Sequence, residues 1–74
     1  MKEINIQKYI LGEDASLADA LKIINKNEIF KIALIINKKK KLIGTIVDGD
    51  IRRALLNNKS LDSKVVFSMK KNPI

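Results

Sequence analysis

Leu42-Ile43-Gly44-Thr45-Ile46-Val47-Asp48-Gly49-Asp50-Ile51-Arg52-Arg53-Ala54-Leu55 is the stretch on which the reading of this chain turns. Its first six residues are mostly apolar or β-branched around a single glycine, and they suit a strand. Asp48-Gly49-Asp50 ends that strand, and Asp50 has a side chain suited to capping the first free N–H groups of a helix. Ile51, Ala54 and Leu55 then recur at helical spacing with Leu56 beside them, and Asn57-Asn58 supplies a stop. A strand therefore hands over sharply to a helix at Val47–Asp50.

The chemistry of that handover is suggestive. Gly44 has no side chain, so another group can approach the strand backbone closely. Free N–H groups at a helix start favour an anion or a hydrogen-bonding ligand. A carboxylate at Asp50 can accept two hydrogen bonds from a vicinal diol such as that of a ribose, and Arg52 and Arg53 can pair with phosphate. Together these groups would make a mononucleotide site. The plainer reading is that Asp50 caps the helix, Gly49 makes the turn and the two arginines are solvated; the residues alone leave both open.

Upstream, Ile32-Ala33-Leu34-Ile35-Ile36 is a continuous apolar run between Lys31 and Asn37, the pattern of a strand buried on both faces. Asn37-Lys38-Lys39-Lys40-Lys41 is a polar turn joining it to the next strand, so the two form a hairpin. Further back, Ser16 and Asp19 have the spacing of a capping box, and Leu17, Ala20, Leu21 and Ile24 follow as the apolar stripe of a helix that ends at Asn25–Asn27. Lys8–Leu11 reads as a short strand broken by Gly12-Glu13-Asp14-Ala15. Downstream, Leu61, Val65, Val66 and Met69 are at near-helical spacing before Pro73, which reads as a linker carrying a short helix. The expected architecture is α/β, a β-α-β-β-α unit with a small three-stranded sheet and two helices.

Size and composition narrow the function. A chain of 74 residues is one small domain at most. Such a domain buries only ~60% of the surface its unfolded chain exposes, and its core rarely supplies more than ~3–5 kcal/mol. With no Cys and no His, disulfides, thiolate or imidazole metal sites, a Cys nucleophile and a His base are all excluded. Asp48 and Asp50 lack the remaining ligands of a Ca²⁺ loop. The expectation is no catalytic residue and no metal site, but a module that needs a partner to cover its apolar sheet face.

The net charge is +7. A nucleotide, a nucleic acid or a membrane would each answer it, but 13 Lys, 13 Ile and 7 Asn are also what an AT-rich genome favours. The three aromatics, Tyr9, Phe30 and Phe67, are scattered and offer no stacking platform for a nucleic acid. Met1–Leu11 has no uninterrupted apolar segment and no run approaches a membrane span. The expected location is cytoplasmic, with neither a nucleic acid nor a membrane as partner.

The pattern resembles the cystathionine β-synthase (CBS) domain. The matching stretches are Asp14-Ala15-Ser16-Leu17 with Ala20-Leu21, then Ile35-Ile36-Asn37, then the quoted Leu42–Leu55, over roughly residues 7–58. Val65-Val66-Phe67-Ser68-Met69-Lys70-Lys71-Asn72-Pro73-Ile74 looks like the start of a second CBS motif, with its Met and following Pro. The resemblance implies a CBS motif over 1–58 and a linker leading into another over 59–74. It also implies pairing, with a second motif or in a homodimer, through the sheets.

The same resemblance implies a cleft for an adenine nucleotide (AMP, ADP or ATP) as regulatory ligand. Asp50 takes the ribose, with Arg52, Arg53, Thr45 and Gly44 around the phosphate and cleft. The backbone of Tyr9–Gly12, including Leu11, and of Lys31, Ile32 and Ala33 flanks the base. Val47 stands where the family has a Ser or Thr, and Leu34 where it often has a Pro. The wording Asp48-Gly49-Asp50-Ile51-Arg52-Arg53 is similar to the N-terminal CBS region of bacterial sugar-nucleotidyltransferases, including the glucosamine-1-phosphate guanylyltransferase-like enzymes of nonulosonic acid synthesis for flagellin glycosylation. On that likeness Met1 is the natural start and a transferase domain follows residue 74. The alternative is a module that only dimerises its parent and binds nothing, and Val47 favours it; a basic nucleic-acid-binding domain is a distant third.

Overall fold

A computed structural model of the chain describes residues 6–27 and 29–71. Met1 and the Asn72-Pro73-Ile74 quoted for a second motif lie outside them.

Helix α1 (Leu17–Lys26) starts where its sequence marks a start. The Ser16 hydroxyl accepts from the Asp19 N–H, and the Asp19 carboxylate accepts from the Ser16 N–H, closing the capping box. The other two first-turn amides are also taken: Leu17 N–H donates to the Ser63 carbonyl at 2.8 Å and Ala18 N–H to the Leu61 carbonyl at 3.0 Å. The first-turn donors that every helix leaves without an internal partner are thus satisfied partly by residues more than forty positions away in sequence. Leu17, Ala20 and Ile24 form the buried stripe, and Asn27 is the C-cap.

The sheet has four strands in the order β1 (Ile10–Gly12), β2 (Ile32–Ile36), β3 (Leu42–Val47), β4 (Lys70–Lys71). β1 runs parallel to β2, as a connection through a helix allows, and the other two pairs are antiparallel. This corrects the expected three strands. The fourth is two exposed lysines paired with Gly44 and Thr45, and neither periodicity nor propensity marks such a strand.

The first strand is also displaced. Ile6–Tyr9 is a 3-10 turn, because Tyr9 is buried with its ring edge-on to Phe30 and the Lys8 carbonyl accepts from the Asn27 side chain. Two of the three aromatics expected to be scattered therefore meet.

The β2–β3 hairpin closes as its polar turn predicts. Asn37 N–H donates to the Lys41 carbonyl, its own carbonyl accepts from the Lys40 N–H, and its side-chain oxygen accepts from the N–H groups of Lys39 and Lys41. Lys40 takes the left-handed conformation, φ 63°.

Helix α2 (Asp48–Leu56) begins three residues earlier than expected, so Asp50 is its third residue and Val47 its N-cap. It ends in a Schellman motif: Lys59 N–H reaches the Ala54 carbonyl and Asn58 N–H the Leu55 carbonyl, with Asn58 at φ 68°.

Both helices cover one sheet face. Ala33, Ile35 and Ile46 from the strands pack with Leu17, Ala20, Ile24, Ile51 and Ala54. Val65, in a 3-10 turn over Val65–Phe67, is fully buried among them. The segment from Leu61 onward thus packs on the same core before entering β4. The other face carries Ile10, Ile32, Leu34, Ile36, Thr45 and Val47, all half-buried. The apolar run of β2 predicts burial on both faces; the chain covers one, and no described residue of its own covers the second.

Candidate functional site

The end of the sheet where β3 meets α2 gathers most of the residues singled out from the sequence. Ile32 pairs with Val47 and Ala33 with Ile46, which sets the start of β2 beside the Val47–Asp50 turn. Lys31 is exposed just before it, and Phe30 carries the contact to Tyr9 at the entry to β1. Because β1 is parallel to β2, the segment entering β1 lies at this same end. Leu11 and Ala33 turn their side chains to the helix-covered core, Leu11 against it and Ala33 wholly within it. Only their backbone could meet a ligand. Leu11 pairs with Ile35 on the edge strand, two strands from β3.

Asp50 is buried, 5% exposed, and both its oxygens are occupied. Oδ2 accepts from the Val47 N–H at 3.0 Å, and Oδ1 accepts from Arg53 at 2.7 Å. This is half of a capping box. The reciprocal half is missing because the Val47 side chain has no acceptor, so α2 begins without a side-chain cap. Arg52 pairs with Asp48 one turn away at 2.7 Å. The two arginines expected to be open to phosphate are thus each tied to an acid of their own helix, though both stay largely exposed and a guanidinium keeps further N–H groups to offer.

Gly44 has a different neighbour from the one its sequence suggests. A Cβ there would stand 2.5 Å from Met69 Sδ and 2.7 Å from the Lys70 carbonyl. The close approach is made by the chain's own β4. Thr45 lies on the open sheet face, half-buried. Among the described residues no cluster of three Asp or Glu could hold a metal ion, and no helix is long and apolar enough to cross a membrane.

The sequence reading missed Ser68, Phe67, Asn57 and Lys59. With Asp50 and Arg53 they line a cavity of about 170 Å³ along α2. Asn57 was marked only as a helix stop, Phe67 only as a scattered aromatic, and Phe67 and Ser68 as part of the tail resembling a second motif; none of these marks speaks of a cavity.

The model of the CBS domain matches residues 2–57. The chain belongs to the CBS domain family. A search of curated proteins found no significant match. Among solved structures, a CBS domain protein from Pyrobaculum aerophilum complexed with AMP aligns over 84% of this chain and 48% of its own, at 20% identity and TM-score 0.74. A CBS-domain-containing protein from Agrobacterium tumefaciens aligns over 88% and 53%, at 21% identity and TM-score 0.77. The CBS domain pair of protein MJ0100, in complex with 5′-methylthioadenosine and S-adenosyl-L-methionine, aligns over 88% and 51%, at 31% identity and TM-score 0.71. This CBS chain spans about half the length of the solved structures it matches.

Proposed function

We propose that this CBS chain is one half of a regulatory module that binds an adenine nucleotide in the cleft formed when its open sheet face is covered by a second motif or a second copy. The observation that carries the reading is the placement of Asp50: a buried carboxylate at an uncapped helix start, beside a half-exposed apolar sheet face. The AMP and methylthioadenosine complexes of two structural neighbours support the ligand class. Asp50 receives the ribose diol, the backbone at Lys31–Ala33 and Tyr9–Leu11 flanks the base, and Thr45 faces the cleft. Residues 1–58 form the motif, and 59–74 lead into another while their first part closes this one.

The module acts by binding rather than catalysis: the chain has no Cys or His, and Asp14, Asp19, Asp48 and Asp50 serve as caps or ion-pair partners. Its parent is a cytoplasmic sugar-nucleotidyltransferase, a reading supported by the wording of Asp48–Arg53. Sequencing beyond Ile74 tests that part: a second motif and then a Gly-rich nucleotidyltransferase signature are expected, and any other catalytic domain overturns it. Titration calorimetry with AMP, ADP and ATP tests the ligand, at a concentration where sedimentation shows the chain associated. Saturable heat with at least one nucleotide is expected. No heat from any of the three overturns nucleotide binding and leaves the second reading, a module that only joins its parent subunits, which the apolar side chain of Val47 favours.

A further inference from the structure

We infer that the groove between α2 and the 65–68 turn is a phosphoryl subsite, taking the phosphate arm of the nucleotide whose ribose Asp50 holds; it rests on the reading above for the rest of that ligand. Three observations meet there. First, the groove is continuous with Asp50, runs along α2 past Arg53 to Asn57 and Lys59, and measures about 170 Å³. The run from residue 50 to residue 57 is about 10 Å of helix, enough for a chain of phosphoryl groups rather than one.

Second, its polar groups suit an oxyanion. The exposed ammonium of Lys59 and the guanidinium of Arg53 bring positive charge, and the Asn57 amide can donate. The one carboxylate on the groove, Asp50, has Oδ1 neutralised by Arg53 at 2.7 Å.

Third, Ser68 is unfinished. Its Oγ is shut off from solvent and has no hydrogen-bond partner among the described residues. A buried hydroxyl without a partner is unfavourable, and Ser68 lines this groove. Its hydroxyl can turn among staggered positions about the Cα–Cβ bond, and a phosphoryl oxygen in the groove gives it an acceptor.

The test uses the ¹⁵N-labelled chain titrated with tripolyphosphate, adenosine and ATP. Tripolyphosphate is expected to shift the amides of Lys59, Phe67 and Ser68 saturably, and ATP to bind about tenfold or more tighter than adenosine, the order of one charge-assisted hydrogen bond. Lys59→Glu and Ser68→Ala are expected to close most of the gap between ATP and adenosine while leaving adenosine binding unchanged. Equal affinity for ATP and adenosine overturns the subsite, as does an ATP preference untouched by both variants, or tripolyphosphate shifts confined to Lys38–Lys41. If tripolyphosphate saturates these amides and adenosine binds nowhere, the subsite stands and the adenine-nucleotide reading falls.

Discussion

Met69 lies over Gly44, its Sδ occupying the place where any larger residue would put a Cβ. The contact joins the tail to the middle of β3. Gly44→Ala is therefore expected to force β4 outward and to cost about 1–3 kcal/mol, the usual range for overpacking. Urea unfolding of the wild type and the variant measures it. Met69→Ala in the Gly44→Ala background is expected to restore part of the loss, because the sulfur is the nearer obstacle and the Lys70 carbonyl the other.

Asp50 carries two structural bonds besides any ligand. Removing its carboxylate leaves the part-buried Val47 N–H and one face of Arg53 without an acceptor. Asp50→Ala is expected to lower stability by about 1–2 kcal/mol and to abolish nucleotide binding. Asp50→Asn keeps an oxygen for the Val47 N–H and is expected to lose less stability than the alanine variant, while still weakening the nucleotide. Thermal unfolding with and without AMP separates the two effects: a midpoint raised by AMP in the wild type, less in Asp50→Asn and not at all in Asp50→Ala is the expected pattern.

Asp19 titrates with the start of α1. The Ser16 N–H donating to its carboxylate holds its pKa below the usual value, and the Ser16 hydroxyl and Lys22 act in the same direction. A carboxylate with a depressed folded pKa contributes stability above its unfolded value near 3.9, and that contribution is lost as pH falls through the folded value. The chain is expected to lose this increment only below about pH 4. Asp19→Asn removes that part of the acid dependence, and Ser16→Ala costs about 1 kcal/mol at neutral pH. Unfolding curves collected from pH 7 to pH 2 provide the measurement.

Among the described residues, two non-glycine residues hold left-handed backbone, Lys40 in the hairpin and Asn58 after α2. Asparagine tolerates that region; lysine does so at a cost of about 1–2 kcal/mol relative to glycine. Lys40→Gly is expected to stabilise the chain by up to about 1 kcal/mol, the gain being reduced by the extra freedom glycine gives the unfolded state. Asn58→Gly is expected to change stability by a smaller amount. Urea midpoints compared at equal slope decide both.

What could be read in advance follows the range of the interaction. The Ser16–Asp19 box, the Asn37 turn and the Asn57-Asn58 stop are settled within five residues, and the structure has them as the sequence implies. Asp50 shows the limit of local reading. As a lone residue it looks like an N-cap, and with no side-chain acceptor at Val47 nothing local marks it instead as the third residue of α2, which it is. Gly44 announced a close approach without naming the visitor, since Met69 is twenty-five residues away and is brought there by β4. The fourth strand and the buried Val65 were hidden for the same reason: two lysines and a valine acquire their places only from the sheet and core that precede them. The cavity beside Asp50 is bounded by that same tail, so it could not be read before the tail was placed.

The hydrogen bonds from Leu17 and Ala18 to Ser63 and Leu61 also set a timetable. During synthesis, α1 waits with two bare amides, and the core with a vacancy at Val65, until the sixties of the chain have emerged. Closure across so long a separation is the slow kind of contact to make. A nascent chain stalled near Lys59 would expose the apolar sheet without its last plug, and would be the form most readily captured by a chaperone or by another unfinished copy.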